Sequence, residues 1–454
     1  MTTLKKPNLK KLAVNGAIWT IAGYGTSQIL RFGCNIILTR LPGIQPEFFG
    51  LMAVVNRLLI GLELFSDLGI GQSIIQNKRG EEEIFFNTAW TLQILRGLVI
   101  WIICLIITYP AASFYQEPRL LWLLPIMGLV SIILGFASPS QPLLNRRMEL
   151  NKVIVFDLTV QIVSLSVLII FAWQLKSLWA FALSGIISAI FRAIASHFLI
   201  PDRKVRFAWD GNALKELVSF GKWMFVATAL MFLAEQADTL LLGKLLSFKV
   251  VGVYTIAATL ANVPREAIKS LSFRVIFPTI SNKIDLPRSE LRAKITRQRW
   301  LIVVAAAICL AVLVNTGDLI IGTLYDQRYK EARWMMPILC CGIWFSILFY
   351  TTSPALLALG KPFYAAQSNL LRFLTISLGM PLAFAFKGTL GVILIIALSD
   401  LPLYVANLYG MWREELSCFI QDVKATLLFV GLLISLLTIR GYLGFGSPFV
   451  FLSN

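Results

Sequence analysis

The sequence predicts an all-α integral membrane protein: two parallel-repeat six-helix lobes, an N-lobe and a C-lobe, around a central cavity, plus about one extra C-terminal span. Three observations lead there: an oily composition, thirteen apolar runs of spanning length, and an internal repeat. The chain has 454 residues, 57% hydrophobic and 14% charged, with a mean hydropathy of +0.76. Soluble domains carry roughly 25% charged residues. A formal charge of +17 would suggest nucleic acid in a soluble chain. Here most basic residues sit in short loops, where membrane topology accounts for them, so no nucleic-acid partner is expected.

A spanning helix needs about 20 mainly apolar residues. Such runs fall near 14–39, 48–75, 86–109, 120–140, 153–173, 177–199, 218–243, 250–279, 300–324, 333–358, 363–386, 389–411 and 423–440. They group as a cytoplasmic segment 1–13, an N-lobe 14–200 (spans 1–6), a cytoplasmic linker 201–217, a C-lobe 218–412 (spans 7–12), and 413–454 with span 13 and a short tail. The first span carries Asn15 and Arg31 and lacks a small-residue cleavage site, so it reads as retained. Lysine and arginine in alternate loops count 22 against 10, which places the amino terminus in the cytoplasm. The longest connection, near 281–299, is basic and expected to be partly helical.

The repeat shows at two offsets. At 202, Gly50 matches Gly252; at 212, Trp122, Pro125, Pro142 and Leu158 match Trp334, Pro337, Pro354 and Leu370. Each copy covers six spans, an even number, so the copies are parallel, related by an axis along the membrane normal. Six scattered cysteines and the lone His197 form no ligand set, so no metal or cofactor is expected. No Gly-x-x-x-x-Gly-Lys-Ser/Thr loop is present, which excludes direct drive by ATP.

Charges inside the spans mark the functional region. A charge at bilayer depth costs on the order of 2.5 to 3.5 kcal/mol even on lenient scales. The hairpin of spans seven and eight nevertheless carries Glu235, Asp238, Arg265, Glu266, Lys269 and Arg274, which argues for a watery cavity or a buried partner. Asn262, Arg265, Lys269 and Ser272 fall at i, i+3, i+7 and i+10, one helical stripe. At offset 202, Glu63 matches Arg265 and Asp67 matches Lys269, so the repeats present opposite charges. An ionic latch between lobes follows as one expectation; pairing within one lobe is the alternative. Arg96, Asp157, Arg192, Asp318, Arg372 and Asp400 lie nearer span ends and are expected to snorkel or pair locally. Gly69 and Gly71 are expected to let the second span bend, and Trp90, Trp122, Trp173, Trp334 and Trp412 to anchor span ends at the interface.

In the first half, Phe49-Gly-Leu51, Asp67-Leu-Gly-Ile-Gly-Gln-Ser-Ile-Ile-Gln76, Phe86-Asn-Thr-Ala-Trp90 and Leu143-Leu-Asn-Arg-Arg147 carry a family resemblance. In the second, Gln236-Ala-Asp-Thr-Leu-Leu-Leu-Gly-Lys244, Val251-Gly-Val-Tyr-Thr-Ile-Ala257 and Phe277-Pro-Thr-Ile-Ser281 do so. Over nearly its whole length the chain resembles the polysaccharide exporters of the multidrug/oligosaccharidyl-lipid/polysaccharide superfamily, the branch that flips lipid-linked oligosaccharide. Such proteins usually have fourteen spans against the thirteen read here.

The resemblance implies a non-enzymatic flippase in the cell inner membrane. It would move a polyprenyl-diphosphate oligosaccharide for lipopolysaccharide or exopolysaccharide synthesis, with membrane lipids and other polysaccharide-assembly proteins as partners. The expected cavity residues are Arg31, Arg57, Asn262, Arg265, Lys269 and Ser272, since arginine grips phosphate in a fork. Glu63, Asp67 and Glu235 are the expected gate and coupling groups; Asp238, where the family often keeps an acidic residue, reads as structural. Arg31 neutralising Glu63 or Asp67 stays open as an alternative. So do a cation-coupled drug exporter of the same superfamily and a membrane polymerase or glycosyltransferase, although the short outer loops disfavour an enzyme.

Overall fold

The computed structural model describes residues 9–66, 69–201, 203–281 and 286–449, and every regular element among them is helical. The chain divides into two units, Met1–Ile44 with Val55–Ala229, and Gln45–Val54 with Leu230–Asn454. Each predicted span coincides with a helix or a broken helix. Length and composition alone single out seven of the described helices as able to cross a membrane, or eight if one bent pair counts as a span.

The first unit holds α1 (Leu9–Arg40), the later part of α2 (Pro46–Phe65), α3 (Ile70–Gln76), α4 (Glu83–Tyr115), α5 (Leu120–Gly135), α6 (Ser140–Arg146), α7 (Leu150–Leu175), α8 (Trp179–Ser196) and the start of α9 (Gly211–Leu245). The second span does break where expected: Gly69, with φ +61°, stands ahead of α3, whereas Gly71 is helical. Asp67 lies outside the described residues. Arg146 donates to the carbonyls of Ile74, Ile75 and Asn77, capping the open C-terminal end of α3. Trp173 and Trp412 are exposed at helix ends as expected of anchors. Trp90 is instead buried, donating its indole N–H to Phe136 O at 3.2 Å.

The second unit contains the start of α2, the remainder of α9, α10 (Phe248–Ala261), α11 (Val263–Leu271), a π-helical turn (Ser272–Ile276), α12 (Phe277–Ser281), α13 (Arg288–Leu324), α14 (Ala332–Tyr350), α15 (Ser353–Ala358), α16 (Phe363–Leu398), α17 (Asp400–Arg413) and α18 (Phe419–Tyr442). The basic connection after α12 is partly helical as expected, since α13 begins at Arg288. Although α16 reads as one run, it folds back at Gly388, whose φ is +54°. A Cβ on Gly379 would stand 3.0 Å from Ile395, and one on Gly391 would stand 2.3 Å from Ala383 O. Two spans result, as the pattern 363–386 and 389–411 predicts.

The repeat is visible in matching irregularities. Pro125 and Pro337 each lie inside a helix, α5 and α14, and each helix is followed by a short one, α6 or α15, that carries Pro142 or Pro354. The α5–α6 bend is 53°. The matched glycines also meet. A Cβ on Gly50 would stand 2.0 Å from Phe248 O, and one on Gly252 would stand 1.7 Å from Pro46 O. Residues 46 and 248 differ by the same offset as 50 and 252, so the crossing of α2 and α10 is reciprocal, as in a two-fold contact.

Candidate functional site: a charged cluster at helix breaks

Breaks in membrane helices leave backbone groups unpaired, and polar side chains must satisfy them. In the second unit the intramembrane charges gather at such breaks. Asp400 occupies the first turn of α17, where the helix dipole favours an anion, and is 1% exposed. Arg265 of α11 contacts its Oδ2, and the Nε of Arg372, from α16, lies 3.1 Å from its Oδ1. Beside them Asp238 of α9 accepts from the Tyr254 hydroxyl at 2.8 Å and from the Thr239 amide at 2.6 Å. Asn262, at the α10–α11 break, joins these groups around a cavity of about 20 Å³, room for roughly one water.

One turn further along α11, Lys269 donates to Glu235 at 2.5 Å and lies 5.7 Å from the centre of the Tyr350 ring. Ser272, fully buried in the π turn, donates to Tyr350 O at 2.5 Å. Asn262 and Arg265 share the cavity, while Lys269 and Ser272 converge on Tyr350. Arg265, Lys269 and Arg372 face Glu235, Asp238 and Asp400, so the cluster cancels its own charge. Of the two expected arrangements for Arg265 and Lys269, the one seen is pairing inside the second unit.

Arg372 and Asp400 pair with each other, one of the two expected arrangements, but the carboxylate is shared with Arg265. Both are buried in the cluster rather than snorkelling from span ends. Pattern missed them because neither lies on the α11 stripe; the surplus of unpaired cations on that stripe was the available signal. Local pairing also describes the others. Arg192 and Asp157 pair at 3.0 Å with Gln141 between them, Arg440 pairs with Asp318, and Arg96 donates to Glu63 O at 2.6 Å.

In the first unit, Arg31 of α1 is exposed and Arg57 of α2 is partly buried. Among the described residues neither forms an ion pair, and the Nε of Arg57 is buried without a hydrogen-bond partner. Glu63 is half-buried on the same helix as Arg57. Ser27 and Gln161, unmarked by the sequence pattern, clasp α1 to α7 through bonds of 2.6 and 2.9 Å. A buried guanidinium N–H left without an acceptor costs about 1–3 kcal/mol, which an anion drawn to Arg57 would offset. Chemically, the first unit offers free cations and the second a self-neutralised network.

A model of the family described as polysaccharide biosynthesis protein matches residues 37–333. The teichuronic acid biosynthesis protein TuaB of Bacillus subtilis is 21% identical over 358 residues, 78% of this chain and 73% of that protein. The lipopolysaccharide biosynthesis protein WzxC of Escherichia coli is 20% identical over 344 residues, 73% of this chain and 67% of that one. Among solved structures, an inward closed conformation of the lipid II flippase MurJ superposes with a TM-score of 0.71 at 13% identity, covering 93% of this chain and 98% of that one. An inward-facing conformation of a multidrug resistance MATE family transporter of the MOP superfamily gives 0.58 at 15% identity, covering 88% of this chain and 95% of that one.

Proposed function

The chain belongs to the polysaccharide biosynthesis protein family, and from that premise we propose that it flips a polyprenyl-diphosphate oligosaccharide across the cell inner membrane. The lobes alternate access, the amino terminus is cytoplasmic, and no bond of the substrate is made or broken. TuaB and WzxC, named for teichuronic acid and lipopolysaccharide biosynthesis, and the flippase MurJ support the substrate class.

The observation that carries the reading is Arg57. A spanning helix presents a guanidinium whose buried Nε has no partner, with Arg31 on the preceding span also outside any described ion pair. A diphosphate entering from water must exchange its hydration shell for such donors. Lys269, engaged with Glu235 and about a quarter exposed, is the member of the second cluster best placed to release its partner for substrate or gate. Exchange of Arg265 from Asp400 to Glu63 would make the inter-lobe latch. If Glu63→Arg combined with Arg265→Glu transports no better than either single change, the latch is rejected.

The drug-exporter alternative calls for a free coupling carboxylate. In the charged cluster Glu235, Asp238 and Asp400 are all engaged. The test of the main reading is a deletion strain. Lipid-linked oligosaccharide should accumulate in the inner leaflet, and Arg57→Ala should reproduce the accumulation at normal protein level. A deletion strain with unchanged lipid-linked pools would overturn it.

A further inference from the structure

At the far end of α13 from its basic start, a hollow of about 460 Å³ lies between that helix, the first turn of α14 and the turn after α18. Asp318, Gly322, Arg333, Gly444, Gly446 and Ser447 help line it. Two arginines bear on it, and they are used differently. Arg440 is committed to the fold. It donates to both oxygens of Asp318 and to Asn315 O, and it holds the turn through Gly446 O at 2.6 Å and Phe445 O at 3.3 Å. Gly444 and Gly446, at φ +77° and +67°, give the backbone the left-handed residues this wrap requires.

Arg333 has no such employment. Its guanidinium lies against Gly322, where an added Cβ would stand 3.0 to 3.3 Å from Nη2, Cζ and Nε. Its Nε is buried with no hydrogen-bond partner, and no described ion pair includes it. With Asp318 and Arg440 cancelling, the hollow is left with one positive charge, and the start of α14 adds field of the same sign. Its volume is that of a ligand site rather than of a packing defect.

We propose that this hollow binds a phosphate-bearing anion, and that in the membrane the occupant is the phosphodiester of an anionic lipid headgroup. Arginine takes phosphate oxygens two at a time. The flank of α18 leading to the turn is bare and apolar, with Leu427, Ile434 and Ile439 all more than half exposed, so acyl chains of a lipid so held would have a surface to follow. The site is independent of what the chain transports.

The experiment is native mass spectrometry of the purified full chain with phosphatidylglycerol as probe and inorganic phosphate as a second, competing probe. The wild type should hold one phosphatidylglycerol. Arg333→Gln should weaken retention at least tenfold and Gly322→Val should do the same by displacing the guanidinium, while Arg333→Lys should keep part of it. Displacement by millimolar inorganic phosphate would identify phosphate itself as the ligand; resistance would identify the headgroup. Equal retention by wild type and Arg333→Gln, or no adduct with either probe, overturns the proposal. Arg57→Gln, which should stop transport, should keep the adduct, so failure of one reading is distinct from failure of the other.

Discussion

Asp400 is the residue on which the buried cluster turns. Two guanidiniums, those of Arg265 and Arg372, share its carboxylate within a site that admits about one water. Removing one member of a buried ion pair commonly costs about 3 to 5 kcal/mol, because the remaining charge stays desolvated. Asp400→Ala should therefore lower folded yield and melting temperature sharply in a detergent thermal scan. Asp400→Ala with Arg372→Leu should recover part of the loss, since one stranded cation is gone; a double variant worse than the single would remove Asp400 from this role. The Lys269–Glu235 pair, about a quarter exposed on each side, makes a contrasting case. Exchange to Lys269→Glu with Glu235→Lys should leave the melting temperature within a few degrees and show its effect in transport. The stripe of Asn262, Arg265, Lys269 and Ser272 was legible because helical spacing places those residues on one face. Arg372 and Asp400 were not, since their companionship depends on where two later helices cross, which no local period encodes.

Elements were legible to a different depth. Hydrophobic runs of spanning length located every long helix among the described residues, because lipid leaves the backbone no alternative to internal hydrogen bonding. Interruptions within the runs were harder to read. The break between α16 and α17 falls inside a run that stays largely apolar, and the π turn at Ser272 carries no glycine or proline to announce it; there Ser272 bonds to Tyr350 O of another helix. Gly69 was the exception, flagged by its place between Asp67 and Gly71. The glycine pair at 50 and 252 shows what a repeat can predict beyond span number. Because each glycine abuts the other helix's backbone, a side chain at either must separate the same crossing. Gly50→Val and Gly252→Val should each destabilise the protein, and the double variant should cost much less than their sum, since neighbours sharing one contact are not additive. Thermal unfolding of the three variants checks this; strict additivity would mean two independent contacts.

At the scale of the whole molecule, charge is arranged so that most basic residues lie on the side predicted as cytoplasmic, and several anchor carboxylates there. Hydrogen bonding from Arg147 lowers the Glu81 carboxyl below the usual range, aided by the charges of Arg146 and Arg203. Hydrogen bonding from Lys361, supported by Tyr364, does the same for Glu414, and Arg119 does so for Glu117 on the opposite side. A carboxylate whose pKa is lower in the folded chain adds stability above its unfolded value, and that contribution drains away as pH falls through the folded value. Three such groups on loops at both membrane faces should act in one direction. Histidine, the side chain whose ordinary titration falls between pH 5 and 8, occurs once, at His197. Melting temperature of the purified chain should therefore stay nearly level from pH 7 to 5 and decline as the solution becomes more acid than the ordinary carboxylate range. Glu81→Gln with Glu414→Gln should lower the plateau while flattening the acid limb, because the variant has less left to lose. A main transition between pH 6 and 7, or an acid limb unchanged in that variant, would place the pH response elsewhere in the chain. The loop carboxylates would then add little to the stability of the fold.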